Sequence, residues 1–481
     1  MAASSVYATV LWAFPCLYLL LKSYRSCAGW RFLLRGRALM LAQSQKYPRQ
    51  AFTVAVPGNT LHVVTTPEHY HDMNAAPLSS MSPWLAAREM FQPKYTVGID
   101  WGAPREQVSL VTVRSTRHMI SELPKLEDEF VRIMQNELDK AVDTKDKRQG
   151  WSQVLLWETI QRTFIRVTTH MLLGREAAND DMFLSHALAF IAETGLIMET
   201  VRLVPSFLAP IIKGRNTHQK YFFNALARSI EQRRAYTTST SDPNQETPQS
   251  SLEAFVDFAP NDWSLQKCVD AINIMFLIIV LATPIIASHL VQDMYSHPEH
   301  LEDLRTEENH VYLSSSSSLS AQLDDLPFLE AFVMESMRTK CFQANTAHRV
   351  AVRSFTFSDG HRVPAGEAVE FNQHAHFNDP ALYLDSTKFD PCRFLNKGKS
   401  IVDIGYDWSF WGVPRHICPG RLHVANTLKL LAVVILQRYD CRIENTKDMN
   451  FEWRDALVPS PHTVLSMRFA SKVKHSVSSG Q

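Results

Sequence analysis

Near the C-terminus the string Trp411-Gly412-Val413-Pro414-Arg415-His416-Ile417-Cys418-Pro419-Gly420-Arg421 runs straight into a long apolar stretch that predicts a helix over residues 421–439. A cysteine in a loop just before a helix directs its sulfur at backbone N–H groups and at the positive end of the helix dipole. Both favour thiolate over thiol. Pro419 and Gly420 shape the turn that presents the sulfur and opens the helix. The bland alternative is a buried structural cysteine, since cysteine is often buried. Upstream, Glu335-Ser336-Met337-Arg338 sets an acid and an arginine at i and i+3 on one helix face, where they can pair. Alone, that pair is an ordinary surface ion pair. Between these two features lies Phe389-Asp390-Pro391-Cys392-Arg393-Phe394.

The elements that must position these residues are mostly helical. Residues 52–56 and 60–65 flank Pro57-Gly58-Asn59 and read as a β-hairpin. Helical spacing runs from Glu122 to about Gly174 and continues through 180–233. Residues 237–251 are polar and read as an exposed loop, and 314–318 is a serine run read as a surface connection. One long helix is expected over 263–295, kinked at Pro284, and another over 326–340. Short strands and loop-rich sequence come next, to about residue 415, and no internal repeat is visible.

The chain has 481 residues, with Lys plus Arg at 49 and Asp plus Glu at 49. Zero net charge leaves no basic excess to meet phosphates, so gripping nucleic acid is not its main work. With 45% hydrophobic and 20% charged residues it is globular, and only 16 glycines lean it toward helices. The 7 cysteines include no CxxC, which leaves zinc-ribbon and thioredoxin readings without support and favours a reduced compartment. Residues 1–21 carry no charge, and Lys22, Arg25, Arg31, Arg35 and Arg37 come directly after them. That run is long enough to span a bilayer, and the basic flank keeps the rest of the chain cytosolic. The expected organisation is a transmembrane signal anchor over 1–21, a basic linker over 22–50 and a catalytic domain over 51–481. A second apolar run, 272–287, is interrupted by Asn273, Thr283 and Pro284 and reads as a buried core helix.

Taken together, the pair Glu335/Arg338, Arg393 in a PxRF-like string and the loop around Cys418 resemble the cytochrome P450 family of haem-thiolate monooxygenases. The order and separations match, and the resemblance extends from the N-terminal anchor to the C-terminus. His416–Arg421, with Ala425-Asn426 and Lys429-Leu430 beyond it, is similar to membrane-bound fungal enzymes that oxidise terpenoids, including indole diterpenes. The resemblance implies a mainly α fold with small β-sheets, preceded by one N-terminal transmembrane helix. It implies haem b with Cys418 as axial ligand to iron, and a thiolate ligand favours O–O cleavage. Glu335, Arg338 and Arg393 would form a buried structural triad. Arg349 and His416 would meet the haem propionates, and an early partner falls among Arg114, Arg117 and His118, with Arg117 the candidate.

Two departures from the family pattern stand out. Pro414 replaces the second glycine of the cysteine loop, so the loop must take a different local path, and Trp411 replaces a phenylalanine. In the long central helix the family's small-small-x-acid-alcohol segment falls on Ile278 to Thr283. Leu281 takes the acid position and Ala282 the alcohol position, which leaves Thr283 as the candidate proton relay.

The reading is therefore a membrane-anchored monooxygenase of the endoplasmic reticulum. It would draw electrons from an NADPH–cytochrome P450 reductase and use O2 on an apolar small molecule, expected to be a terpenoid of secondary metabolism. The missing acid–alcohol pair motivates an alternative: oxidative cyclisation, dehydration or rearrangement without conventional oxygen insertion. A haem-binding scaffold without activity is the remaining option.

Overall fold

In a computed structural model the described residues are 27–97, 107–143, 147–148, 150–204, 207–213, 218–239, 250–314, 319–395 and 397–470. The segment 1–21 lies outside them, as do most of 237–251 and 315–318.

Residues 22–50, expected as a linker, are helical from Cys27 to Lys46 (α1), with a break at Arg35. Their basic composition conceals an apolar face: Phe32, Leu33 and Met40 are buried, while Arg31 and Arg35 stay exposed. Arg37 is buried too. Its Nη1 donates to Cys341 O at 2.6 Å, and its Nη2 lies 3.1 Å from His374 Nδ1.

Strands β1 (Phe52–Val56) and β2 (Asn59–Val64) pair antiparallel with Val56 opposite Asn59, so Pro57-Gly58 is the turn. Gly58 has φ 77°, which only glycine adopts without strain. Helix α2 (Pro67–Ala75) is capped by Thr66, and β3 is Met81–Ser82. The expected helical stretch 122–174 is two helices, α3 (Gln107–Val142) and α4 (Leu156–Leu173). Between them run β4 (Lys147–Arg148) and β5 (Trp151–Leu155). The alternation of buried and exposed residues in β5 marks a strand, a period that the flanking helical pattern obscured. Then come α5 (Asp181–Leu203), α6 (Gln219–Ser239) and α7 (Leu265–Ser296).

Helix α7 is continuous through Pro284 and mostly buried, so the apolar run 272–287 is core. Pro284 has no N–H, so the Val280 carbonyl lacks its helical donor. Helix α8 (Pro327–Thr339) carries the Glu335/Arg338 pair. Beyond it lie strand β6 (Thr346–Ala351) and then β7 (Ala368–Phe371). The cysteine string forms β8 (Gly412–Val413) and β9 (His416–Ile417), and helix α9 (Arg421–Arg438) starts just after it. The described residues finish with β10 (Tyr439–Ile443), β11 (Asn450–Trp453), β12 (Ala456–Pro459) and β13 (Val464–Phe469).

One sheet has the order β1-β2-β7-β6-β3, with β2 and β7 parallel. A second has the order β10-β13-β5-β4. Helices α3, α4, α7, α8 and α9 share one apolar core, into which Phe130, Phe164, Phe276, Phe332 and Leu428 are fully buried.

Candidate active site

The cysteine loop is a two-residue hairpin. Gly412 faces Ile417 and Val413 faces His416, which leaves Pro414 and Arg415 exposed at the tip. Neither tip residue has positive φ, so the mirror-image turns usual in hairpins are not used. Pro414 stands where a fixed φ suits the turn and no N–H is needed, which is the local path the proline allows. Gly412 has φ 90°, and a Cβ there would come within 2.8 Å of His416 O; no other residue fits.

Three groups on α2 dock the hairpin. Tyr70 Oη donates to Gly412 O at 2.8 Å, Arg415 N–H donates to Asn74 Oδ1 at 2.9 Å, and Arg415 Nη1 donates to Ala75 O at 3.3 Å. Nothing in the sequence pairs Tyr70 with a glycine so far along the chain; only the fold brings them together.

Cys418 donates its N–H to Trp411 O at 2.8 Å, so its amide is engaged away from the sulfur. Burial pushes the thiol up, against the backbone N–H groups of Gly420 and Arg421 and the Arg421 guanidinium, which pull it down. The helix start therefore favours thiolate without outweighing burial. A cationic metal centre would supply the rest, because a coordinating thiol is deprotonated outright.

Arg349 tests the fit of a propionate-bearing cofactor. It is 3% exposed, its Nη1 donates to His348 O at 2.8 Å, and its Nη2 has no partner. A buried guanidinium with an unused donor calls for an anion. Burial lowers its pKa to about 10. A register shift in β6 between Thr346 and Arg349, with Ala347 at φ 54°, sets its direction. His416 is half-buried, and burial, then the positive charges of Arg349 and Arg415, lower its pKa to about 4. It is therefore a neutral imidazole at physiological pH, able to donate one hydrogen bond to an anion without adding charge. Arg349 and His416 are brought together as candidate propionate partners. Arg114 and Arg117 are exposed on α3 and His118 is half-buried there, in edge contact with Phe258. No hydrogen bond or ion pair among the described residues joins Arg117 to the cysteine loop.

Glu335, Arg338 and Arg393 meet. Arg338 donates to Glu335 from Nε at 2.7 Å and from Nη2 at 2.8 Å, and Arg393 Nε donates to Glu335 at 3.1 Å. Arg338 Nη1 donates to Phe377 O and Ser386 O and its Nη2 also to Lys388 O, so all five of its donors are used. Glu335 also accepts the Asp390 N–H at 2.9 Å. Both Glu335 and Arg338 are 0% exposed, which sets them apart from a surface pair.

Helix α7 presents a different surface. Ile274, Ile278, Leu281, Ala282 and Ile285 are half-buried or exposed in the otherwise mostly buried middle of the helix. They recur at intervals of three and four, so they form one stripe that the other described residues leave partly uncovered. Ile279 is the one such neighbour off that line. Thr283, one residue past Ala282, is turned about 100° away around the helix. It is 1% exposed and faces the packed side. The stripe carries no acid and no hydroxyl.

A family model described as Cytochrome P450 matches residues 32–467. The cytochrome P450 monooxygenase atmQ of Aspergillus flavus is 24% identical over 89% of this chain and 82% of its own. Ent-kaurene oxidase P450-4 of Gibberella fujikuroi is 24% identical over 91% of this chain and 88% of its own. Among solved structures, the retinoic acid-bound cyanobacterial CYP120A1 superposes with a TM-score of 0.70 at 17% identity, covering 92% of this chain and 96% of that one.

Proposed function

The chain belongs to the cytochrome P450 family, and on that premise we propose that it is a membrane-anchored monooxygenase holding haem b through Cys418. The observation that carries the reading is the unpartnered, buried Nη2 of Arg349 beside His416 on one side and the cysteine at the start of α9 on the other. Arg349 and His416 would hold the propionates, and Arg117 remains the candidate for a third contact. When bound, the group supplies O2 activation, which a thiolate ligand promotes by pushing electron density toward the O–O bond.

The remaining work belongs to the chain. The stripe of Ile274, Ile278, Leu281, Ala282 and Ile285 offers an apolar wall to a hydrocarbon substrate and excludes water from it. The ent-kaurene in one relative's name is such a hydrocarbon, so a terpenoid is the substrate class proposed. Neither Leu281 nor Ala282 can pass a proton, and Thr283 reaches the wall only if the helix turns there. Protons would then come through ordered water or a substrate hydroxyl. The same dry stripe favours a second reading, oxidative cyclisation, dehydration or rearrangement without oxygen insertion.

Residues 1–21 would anchor the protein in the endoplasmic reticulum with the rest cytosolic, beside an NADPH-dependent reductase. The uncharged run and its basic flank support this. Protease added to intact microsomes should then digest the folded part; its full protection would contradict the orientation.

The test of function is to incubate membranes containing this protein and the reductase with NADPH, O2 and candidate diterpenes. A product heavier by one oxygen supports the first reading, and a new product of unchanged mass, or one lighter by two hydrogens or by one water, the second. Reductase-dependent NADPH oxidation with no product from any apolar substrate would count against both.

A further inference from the structure

The backbone of the two residues Ile401 and Val402 is a hub that no motif announces. Ile401 N–H donates to Glu330 Oε1 at 2.9 Å. Ile401 O accepts the indole N–H of Trp411 at 2.6 Å and that of Trp408 at 2.9 Å. Val402 O accepts Arg421 Nε at 3.2 Å. Behind the hub, Glu330 Oε2 lies 3.1 Å from Lys429 Nζ, which also donates to Leu323 O at 3.1 Å. Lys429 is 6% exposed and Ile401 is 1% exposed.

The two residues that the hub grips on its far side bracket the cysteine. Trp411 supplies the carbonyl that accepts the Cys418 N–H at 2.8 Å. Arg421, three residues past Cys418, donates from Nη1 to Cys418 O at 3.5 Å. The connection therefore closes on itself, from α9 through Lys429 to Glu330 on α8, to Ile401–Val402, to Trp411 and Arg421, and back into α9. Trp411, which departs from the family's phenylalanine, is the member whose ring N–H completes it. A lysine–glutamate pair with a buried amine and a half-buried acid gains little as a stability device, because desolvation offsets much of the attraction. As a fixed anchor it has a clear use.

We propose that Glu330, held by Lys429, is a positioning residue for Cys418, acting through the Ile401–Val402 backbone on Trp411 and Arg421. The proposal rests on the reading that Cys418 binds haem. The acid and amine transfer no proton; they fix where the sulfur and its backbone donors sit. Glu330 is distinct from Glu335, five residues on, which serves Arg338 and Arg393.

The test uses the full chain loaded with haem and compares Glu330→Ala, Glu330→Gln, Trp411→Phe and, as a core control on the same helix, Leu329→Ala. Two quantities are read besides activity. One is the reduction potential; the other is the rate at which the reduced carbon monoxide complex loses its red-shifted, thiolate-type Soret band. Glu330→Ala should lose the band about tenfold faster, the scale of one charge-assisted hydrogen bond, and shift the potential. Glu330→Gln, whose amide oxygen can still accept from Ile401, should restore both. Trp411→Phe should fall between, and Leu329→Ala should melt earlier with an unshifted potential. Wild-type potential and band lifetime in Glu330→Ala would overturn the proposal, as would equal loss in Leu329→Ala. If Glu330→Ala does not fold, Trp411→Phe decides, and wild-type behaviour there overturns it. A wild-type protein with no thiolate-type band would instead defeat the haem reading beneath it.

Discussion

The cysteine loop with its supports and the middle of α7 both belong to the candidate active site, yet they are built from opposite materials. Around Glu335 and Ile401 a dense hydrogen-bond network uses all five donors of Arg338, and beside the cysteine loop Arg349 keeps one buried donor unused. Along residues 274–285 of α7 the partly uncovered stripe is all hydrocarbon. The first region keeps one geometry whatever the substrate, because moving any member strands a buried charge. The second sets only shape and dryness. The difference teaches where the family chemistry is held and where this chain departs from it.

The largest effect that would break the comparison lies in the polar region. Arg338→Ala leaves Glu335 buried with only Arg393 and the Asp390 N–H, at a cost of about 3–5 kcal/mol. Expression and haem content, measured by absorbance against total protein, should collapse together; a folded variant with full haem would show that the triad is dispensable.

A second effect comes from acid. His423 and His376 are buried, and burial lowers the pKa of each to about 4. Neither ring nitrogen of His423 has a hydrogen-bond partner among the described residues, and at His376 the Asp407 backbone and the charges of Asp407 and Asp379 only partly oppose burial. The unfolded chain takes up these protons near the ordinary value of 6.5 and the folded chain only near 4. Stability is therefore complete above about pH 6.5 and falls as the pH drops toward 4, by up to about 3 kcal/mol per histidine. Melting temperatures across that range should fall on the acid side, and His423→Leu should flatten the slope. A flat profile in the parent protein would contradict the burial of both rings.

The smallest effect sharpens the account of α7. Ala282→Thr places a hydroxyl on the stripe and should raise product formed per NADPH consumed and lower peroxide release. Thr283→Ala removes a hydroxyl from the packed side and should leave that ratio near the parent value, with haem content unchanged. A large loss of coupling in Thr283→Ala would return Thr283 to the role of relay and move the dry stripe elsewhere.

The same division separates the residues legible in the sequence from those that were not. The meeting of Glu335, Arg338 and Arg393, and the turn that sets Cys418 ahead of α9, were legible because charged residues and a cysteine at set spacings signal such arrangements by their types. The hairpin at 52–64 was legible from its turn residues, and α9 from its apolar run. Segment 22–50 was misread because its arginines outweigh Phe32, Leu33 and Met40 in composition, although those three lie on one helix face. The strands β4 and β5 were missed because a short alternating segment between two helices leaves little periodic signal. Tyr70, Glu330 and Ile401 support the loop through contacts across the chain, each with a backbone atom as one partner, which no residue type can signal. The side of α7 that Thr283 faces depends on helix rotation, and single-residue spacing alone does not set it.

The central claim is that Cys418 supplies a thiolate to haem iron. The measurement that bears on it most directly is the carbon monoxide difference spectrum of the reduced full-length protein, beside that of Cys418→Ser at equal protein concentration. The account predicts the red-shifted, thiolate-type Soret band in the parent and its complete loss in the serine variant. Retention of that band in Cys418→Ser, or its absence from a folded, haem-loaded parent, would contradict it.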